Sequence, residues 1–166
     1  MIRIHSMVRC AVICGAVLSA LAFPQMARAD DEEVLKQNAV LVKENREIAM
    51  GILKVLEVPC SPAMPTGGTT VENNHVLFCM NQYTFKLIAA KIGAKPVMTT
   101  VTVGPLLEQN HAILMQNREV MMSIAEKLEL KLPKAEELKG TLAEKNHQLL
   151  TANKSTLEMV AKSIKK

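Results

Sequence analysis

The chain has 166 residues, of which 49% are hydrophobic and only 2% aromatic, and it carries a formal net charge of +4. The basic excess lies in the first 29 residues, which contain three arginines and no acidic residue, so that 17 basic and 16 acidic residues remain in the rest of the chain. Such a nearly neutral remainder excludes the long-range attraction to phosphate that a nucleic-acid or anionic-membrane binder needs. We therefore expect no nucleic-acid partner.

Residues 1–29 have the features of a cleavable signal peptide. Arginines accompany an apolar run from Ala11 to Phe23, and Ala27-Arg28-Ala29 fits the small-x-small pattern of a cleavage site. The apolar run is shorter than the roughly 20 residues that a membrane-spanning helix needs. We predict cleavage after Ala29, a single domain over residues 30–166 without a membrane span, and a periplasmic or secreted location.

The rest of the chain repeats with a period of 36 residues. Each repeat carries two asparagines at the same spacing, and aliphatic residues keep the same register around them. The asparagine pairs are Asn38 and Asn45, Asn74 and Asn81, Asn110 and Asn117, and Asn146 and Asn153. Four copies in one ungapped frame indicate one structural unit repeated four times.

Each repeat predicts one amphipathic helix, because its apolar residues recur at the i, i+3, i+4, i+7 positions of a single stripe. Thr69 with Glu72 and Thr141 with Glu144 form capping-box patterns, and Pro105 suits a first helical turn. The predicted helices cover residues 33–57, 69–93, 105–129 and 141–165.

The lengths of the predicted connections favour one topology. About 11 residues separate helices roughly 37 Å long, so a fully extended connection would barely return the chain for a parallel neighbour. Antiparallel neighbours are much easier to connect, and we predict an all-α, four-helix up-down-up-down bundle. A short α-solenoid is the alternative, because residues 135–138 could add a short helix between the third and fourth repeats.

Cys60 and Cys79 are the two cysteines that follow the predicted leader. In an exported protein an even pair of cysteines predicts a disulfide bond. The alternative is a metal site in which Cys79 acts together with His75, one helical turn earlier.

Both asparagines of each repeat fall in the middle of the apolar stripe, so we predict that all eight are buried. A buried amide without a partner is costly, and these amides must bond to one another, to water or to a ligand. In the predicted bundle the second asparagines meet in one central layer, and the first asparagines lie near the two ends, two at each. Three interpretations stay open: a device that sets helix register, a polar cavity for a small ligand, and an interface with another chain.

Three histidines share one repeat position, and each follows a glutamate by three residues. The histidines are His75, His111 and His147, and the glutamates are Glu72, Glu108 and Glu144. This Glu-x-x-His spacing occurs in di-iron helical bundles, so a transition metal is the alternative to having no cofactor. In an antiparallel bundle His111 would start its helix at the opposite end from the other two, so we expect the histidines not to converge.

Catalysis has little support in the sequence. There is no nucleophile with an evident base, no pair of carboxylates in the apolar stripe and no glycine-rich phosphate loop. We expect a non-catalytic helical bundle that binds or assembles with another envelope or secreted protein. The competing hypothesis is a metal-binding or metal-handling periplasmic protein. The aromatic residues after the leader, Phe78, Tyr83 and Phe85, all lie in the second repeat, which makes that repeat the first place to look for a specialised role.

Overall fold

The computed structural model describes residues 29–61, 64–134 and 136–165. Apart from Ala29, the predicted signal peptide lies outside these residues. Within them the chain forms four α-helices and no β-strand, and none of these helices is long and apolar enough to cross a membrane. Their ends lie within about one turn of the predicted positions. The helices are α1 (Ala29–Val55), α2 (Thr70–Ile92), α3 (Leu106–Lys127) and α4 (Leu142–Ile164).

The four helices form a closed ring. Helix α1 packs against α2, α2 against α3, α3 against α4, and α4 back against α1, whereas no described helix contacts the one diagonally opposite. The predicted four-helix bundle is therefore confirmed. The contact between α4 and α1 closes the structure, so it is not the open solenoid that was the alternative.

All four helices point in the same direction. Asn74 of α2 donates a hydrogen bond to the carbonyl of Leu35 in α1, and Asn81, two turns later in α2, donates to Val42, two turns later in α1. In an antiparallel pair the second partner would lie earlier in α1 than the first. The same step recurs between α2 and α3 and between α4 and α1. The bundle is parallel, and the predicted up-down-up-down order is wrong.

The connectors permit this direction because they are longer than predicted. They comprise residues 56–69, 93–105 and 128–141, so 13 or 14 residues join successive helices. Fully extended, such a connector reaches about 43–50 Å, whereas a helix of 22 or 23 residues is about 33–35 Å long. Each connector can therefore return along the bundle and start the next helix at the same end.

Parallel packing brings equivalent residues of the four repeats to the same level. The apolar core divides into a cluster in the N-terminal half of the bundle and a larger cluster in the C-terminal half. The second asparagine of each repeat lies between them in the sequence of each helix. The N-terminal cluster includes Val42, Phe78, Leu114 and Leu150, and the C-terminal cluster includes Ala49, Phe85, Met121 and Leu157. Burial of these side chains supplies the apolar driving force for the fold.

The helices α1, α2 and α3 end in the same way. Glu57, Gly93 and Glu129 stand at equivalent positions just past the three helices and have φ angles of 56°, 70° and 55°. The next amide in each case bonds back five residues, as Ala94 does to the carbonyl of Ala89 at 2.8 Å, which completes a Schellman motif. Glycine adopts this left-handed conformation without strain, whereas glutamate does not.

The parallel arrangement places four positive helix-dipole ends together at one end of the bundle and four negative ends at the other. Acidic residues occupy the first turns of α2, α3 and α4, and a lysine occupies the last turn of every helix. These charges oppose the dipoles and offset the cost of aligning them. The residues are Glu72, Glu108 and Glu144, and Lys54, Lys91, Lys127 and Lys162.

Glycine at either strained helix end should stabilise the protein. A non-glycine residue in the left-handed conformation costs about 1–2 kcal/mol, so Glu57→Gly and Glu129→Gly should each raise the free energy of unfolding by about 1 kcal/mol. Denaturant unfolding followed by circular dichroism measures this change. The matched control, Gly93→Ala, should lower the same free energy by a similar amount. Equal stability of all three variants and the wild type would contradict the proposed strain.

Candidate functional site

The eight repeat asparagines lie inside the bundle, with exposed fractions between 0% and 2%. The second asparagines form a central layer, as the sequence predicts. The first asparagines form a single layer nearer the N-terminal ends of the helices, not two layers at opposite ends. This difference follows from the direction of the helices, because in a parallel bundle all four begin at the same end.

Six of these asparagines donate a hydrogen bond from the amide nitrogen to a backbone carbonyl of the preceding helix in the ring. In each of these bonds the accepting carbonyl belongs to the residue three positions before an asparagine of the preceding helix. The distances from the Nδ2 atom to the carbonyl oxygen are 3.0–3.4 Å. For example, Asn81 Nδ2 donates to the Val42 carbonyl at 3.0 Å. A helical carbonyl can accept this second bond because its oxygen has a lone pair beyond the one used within the helix. Each such bond joins two neighbouring helices.

The three histidines bind the oxygens of the first asparagine layer. Each Nδ1 atom faces an asparagine of the next helix, and the pairs are His75 with Asn110 at 2.7 Å, His111 with Asn146 at 2.8 Å, and His147 with Asn38 at 3.0 Å. All three lie near the N-terminal end of the bundle, so the expectation that His111 lies at the opposite end is wrong, again because the helices are parallel. Each histidine nevertheless occupies a different helix interface.

The fourth interface lacks its histidine. The first repeat has Ala39 where the others have His75, His111 and His147. The asparagine that such a histidine would face is Asn74, and its Oδ1 atom is buried without a hydrogen-bond partner. The unsatisfied oxygen is therefore explained by a single missing side chain.

The central layer is only half satisfied. The Oδ1 atoms of all four second asparagines are buried and have no hydrogen-bond partner in the described protein. In the first layer a histidine directly follows the asparagine in three of the repeats and bonds to the next asparagine oxygen. The equivalent residues of the second layer bond elsewhere: Arg46 to Ser61, Gln82 to Gln116 and Lys154 to Glu44. Burial lowers the pKa of Arg46. Unpartnered buried acceptors cost stability, so these four oxygens do not form a stabilising network within the described protein.

Two of the three repeat glutamates, Glu72 and Glu144, cap helices. Glu72 accepts hydrogen bonds from the backbone amide and the hydroxyl of Thr69, at 2.7 and 2.9 Å, and Glu144 accepts one from the backbone amide of Thr141 at 2.6 Å. The bond from the Thr69 amide holds the pKa of Glu72 below its usual value. Helix α3 follows Pro105, which has no amide hydrogen for Glu108 to accept.

The metal hypothesis therefore lacks a ligand set in the part of the chain that the structure describes. No group of three or more His, Cys, Asp or Glu side chains there is placed to hold a metal ion. The histidines that were the candidate ligands each use Nδ1 to bind an asparagine, and Glu72 and Glu144 are engaged in capping boxes.

The predicted disulfide is not formed. Cys60 packs beside the C-terminal apolar cluster, where Arg46 holds the connector by donating to the carbonyl of Ser61 at 2.9 Å. Cys79 lies in the N-terminal half of α2, and its Sγ is 3.8 Å from His75 Nε2. The two cysteines therefore lie beside different halves of the bundle, and neither is disulfide-bonded. The contact between Cys79 and His75, on which the alternative interpretation as a metal site depended, is present.

Helix α3 holds the α2–α3 connector against the bundle. Side chains at seven-residue intervals along α3 donate to connector carbonyls, so the connector runs opposite to α3. The bonds are Ser123 to Lys95 at 2.7 Å, Gln116 to Thr100 at 2.9 Å and Gln109 to Gly104 at 2.7 Å. Between residues 95 and 104 no backbone-to-backbone hydrogen bond forms within the described protein.

The outer side of this connector carries the most exposed large hydrophobic side chains of the described residues. Met98, Val101 and Val103 have exposed fractions of 88%, 86% and 91%. We call residues 97–103, Val-Met-Thr-Thr-Val-Thr-Val, the 97–103 segment. Its lack of charge and its richness in valine and threonine can be read from the sequence, whereas its exposure depends on the tertiary structure.

No family model, curated protein or solved structure matches this chain.

Completing the ring of histidines should stabilise the bundle. In an Ala39→His variant the new imidazole can donate to Asn74 Oδ1, and satisfying that buried acceptor should raise the free energy of unfolding by about 1 kcal/mol after the poorer helix propensity of histidine is counted. Thermal and denaturant unfolding provide the measurement. Val40→His, one residue along on the exposed side, introduces an imidazole without the bond, and because valine and histidine have similar helix propensities it should give no gain. A gain in both variants would argue against the pairing.

The two asparagine layers should respond differently to leucine. Asn110→Leu would leave His75 without its partner and should cost about 1–3 kcal/mol of unfolding free energy. Asn81→Leu would instead remove an unsatisfied buried oxygen, while the Val42 carbonyl keeps its bond within α1, so the unfolding temperature should stay the same or rise. If the variants lost equal stability in thermal unfolding, the distinction between the layers would be wrong.

Proposed function

We propose that this chain is an exported helical-bundle protein of the periplasm or cell envelope that acts by binding and assembling with other polypeptides. Export is supported by the signal-like character of residues 1–29. Binding is supported by one observation above all, the exposed and uncharged 97–103 segment. Side chains elsewhere that could have carried other chemistry, such as the histidines and two of the repeat glutamates, already bond within the bundle.

The segment has the features of an unprotected strand edge. It is rich in β-branched residues, it lacks charge, and its backbone makes no backbone-to-backbone hydrogen bonds in the described protein. Natural proteins usually protect such edges with proline or charged residues, because an open edge pairs with other extended chains. Binding by strand addition uses those backbone groups for affinity and the alternate side chains for specificity.

The other two connectors serve as internal comparisons. The α1–α2 connector contains Pro59 and Pro65, and the α3–α4 connector contains several charged residues, including Lys131, Glu136 and Lys139. Both therefore carry the features that discourage strand pairing. Only the connector between α2 and α3 has eight consecutive residues, 97–104, without either, which singles it out as a contact surface.

The occupant that this segment fits best is the same segment of a second copy. Antiparallel pairing of two copies about Thr100 places Val97 opposite Val103 at both ends, Met98 opposite Thr102 and Thr99 opposite Val101. Pairs of β-branched residues across an antiparallel ladder are favourable, and no charges oppose each other. A strand pair of this length buries less than a standard interface, so the expected association is weak and concentration-dependent.

Self-association should depend on the 97–103 segment. Sedimentation velocity at increasing protein concentration should show a monomer–dimer equilibrium in the wild type, and Val101→Lys should shift it to monomer by placing a charge on the edge. Val40→Lys alters another exposed valine, which lies on α1 and is 57% exposed, and should leave the equilibrium unchanged. A wild type that stays monomeric, or an equal effect of both lysine substitutions, would contradict the proposal that the 97–103 segment mediates self-association. Amide hydrogen exchange should also slow within residues 98–103 as the concentration rises.

A further inference from the structure

The second repeat contains a chain of three side chains that runs from α2 to α3. Cys79 Sγ lies 3.8 Å from His75 Nε2, and His75 Nδ1 lies 2.7 Å from Asn110 Oδ1. The Asn110 side chain at the end of this series is oriented by a further bond, because its Nδ2 donates to the carbonyl of Val71 at 3.4 Å. Cys79 and His75 are partly buried, and Asn110 is 1% exposed.

The hydrogen-bond directions determine where the proton sits. Asn110 uses its nitrogen as the donor to Val71, so its Oδ1 must be the acceptor, and His75 Nδ1 must carry the hydrogen between them. In the neutral imidazole this leaves His75 Nε2 as an acceptor that faces the thiol. A thiol, an imidazole and an orienting amide in this order form the arrangement that converts a cysteine into a thiolate nucleophile.

No other described repeat combines these groups. The positions equivalent to Cys79 are Lys43, Met115 and Thr151. The first repeat lacks the histidine as well, whereas the third repeat retains the His111–Asn146 pair beside Met115. The thiol is therefore a departure of the second repeat from a scaffold that already holds an oriented histidine.

We propose that Cys79 is a reactive thiol that forms mixed disulfides with small organic disulfides. His75 Nε2 takes the thiol proton, and the Cys79 thiolate attacks one sulfur of the small disulfide. A new sulfur–sulfur bond forms to Cys79 as the original one breaks, and the leaving thiolate takes the proton from His75. The products are the protein mixed disulfide and one small thiol, so the exchange needs no further oxidant.

The position of Cys79 suits a small partner. The side chain lies partly buried on α2 and next to a residue bonded to α3, which limits the approach of a bulky protein disulfide. The supply of disulfides fits the exported location proposed above, because disulfides persist in oxidising compartments. The chemistry itself does not depend on that location or on self-association, and it can be tested on the purified protein alone.

The rate of reaction with 2,2′-dithiodipyridine, followed by absorbance in a Cys60→Ser background, tests the proposal. At about pH 6 an ordinary thiol with a pKa near 8.5 is almost wholly protonated, so Cys79 should react roughly tenfold or more faster than an unassisted thiol. The unassisted reference is Lys43→Cys with Cys79→Ser, since that thiol follows Ala39 and not a histidine. Lys43 is also more exposed than Cys79, so accessibility alone would favour the reference.

Two further variants separate an activated thiol from a merely accessible one. His75→Gln should reduce the rate to that of the reference, with circular dichroism to confirm that the bundle is folded. Met115→Cys with Cys79→Ser, which leaves the His111–Asn146 pair intact, should gain a fast rate because its thiol would stand beside His111. Equal rates for the thiols at positions 43, 79 and 115 would overturn the proposal, as would an unchanged rate in a folded His75→Gln protein.

Mass spectrometry after incubation with oxidised glutathione should place the added group on Cys79, and an unmodified Cys79 would count against the proposed substrate class.

Discussion

The structure depends on the hydrogen bond between a buried asparagine and a backbone carbonyl of the preceding helix. The donor and the acceptor stand at a fixed offset in the repeat, since the carbonyl always belongs to the residue three positions before an asparagine. The same bond can recur around a ring only if each helix stands in the same relation to the one before it. Such head-to-tail contacts close into a ring, and the four helices must then all point the same way.

Several features of the bundle follow from this direction. The connectors must return along the whole bundle, so they are long and lie outside, and one of them presents exposed apolar residues. The helix dipoles align, and the acidic first turns and basic last turns oppose them. The histidines gather at one end, where each bridges to the next helix and so strengthens the same interfaces as the asparagines.

The departures from the repeat carry more functional information than the repeat itself. Ala39 in place of a histidine leaves Asn74 Oδ1 unsatisfied, which shows that the scaffold tolerates the loss of one bond. Cys79 adds a thiol to an oriented histidine in the second repeat. The 97–103 segment lacks the prolines and charges of the other connectors. The thiol and the segment both belong to the half of the bundle formed by α2 and α3, so the two proposed activities share one side of the molecule.

The number of helices, their approximate ends, the capping boxes and the burial of all eight asparagines could be predicted from the residue pattern alone. These features depend on local hydrogen bonding and on the period of the apolar stripe, both of which can be read along a single helix. The direction of the helices is known only from the folded structure, because an apolar stripe packs equally well against a parallel and an antiparallel neighbour. The meeting of the histidines at one end, the separation of Cys60 from Cys79, and the reach from His75 to Asn110 all follow from that direction. They could not be predicted from residue spacing, because they depend on which ends of the helices lie side by side.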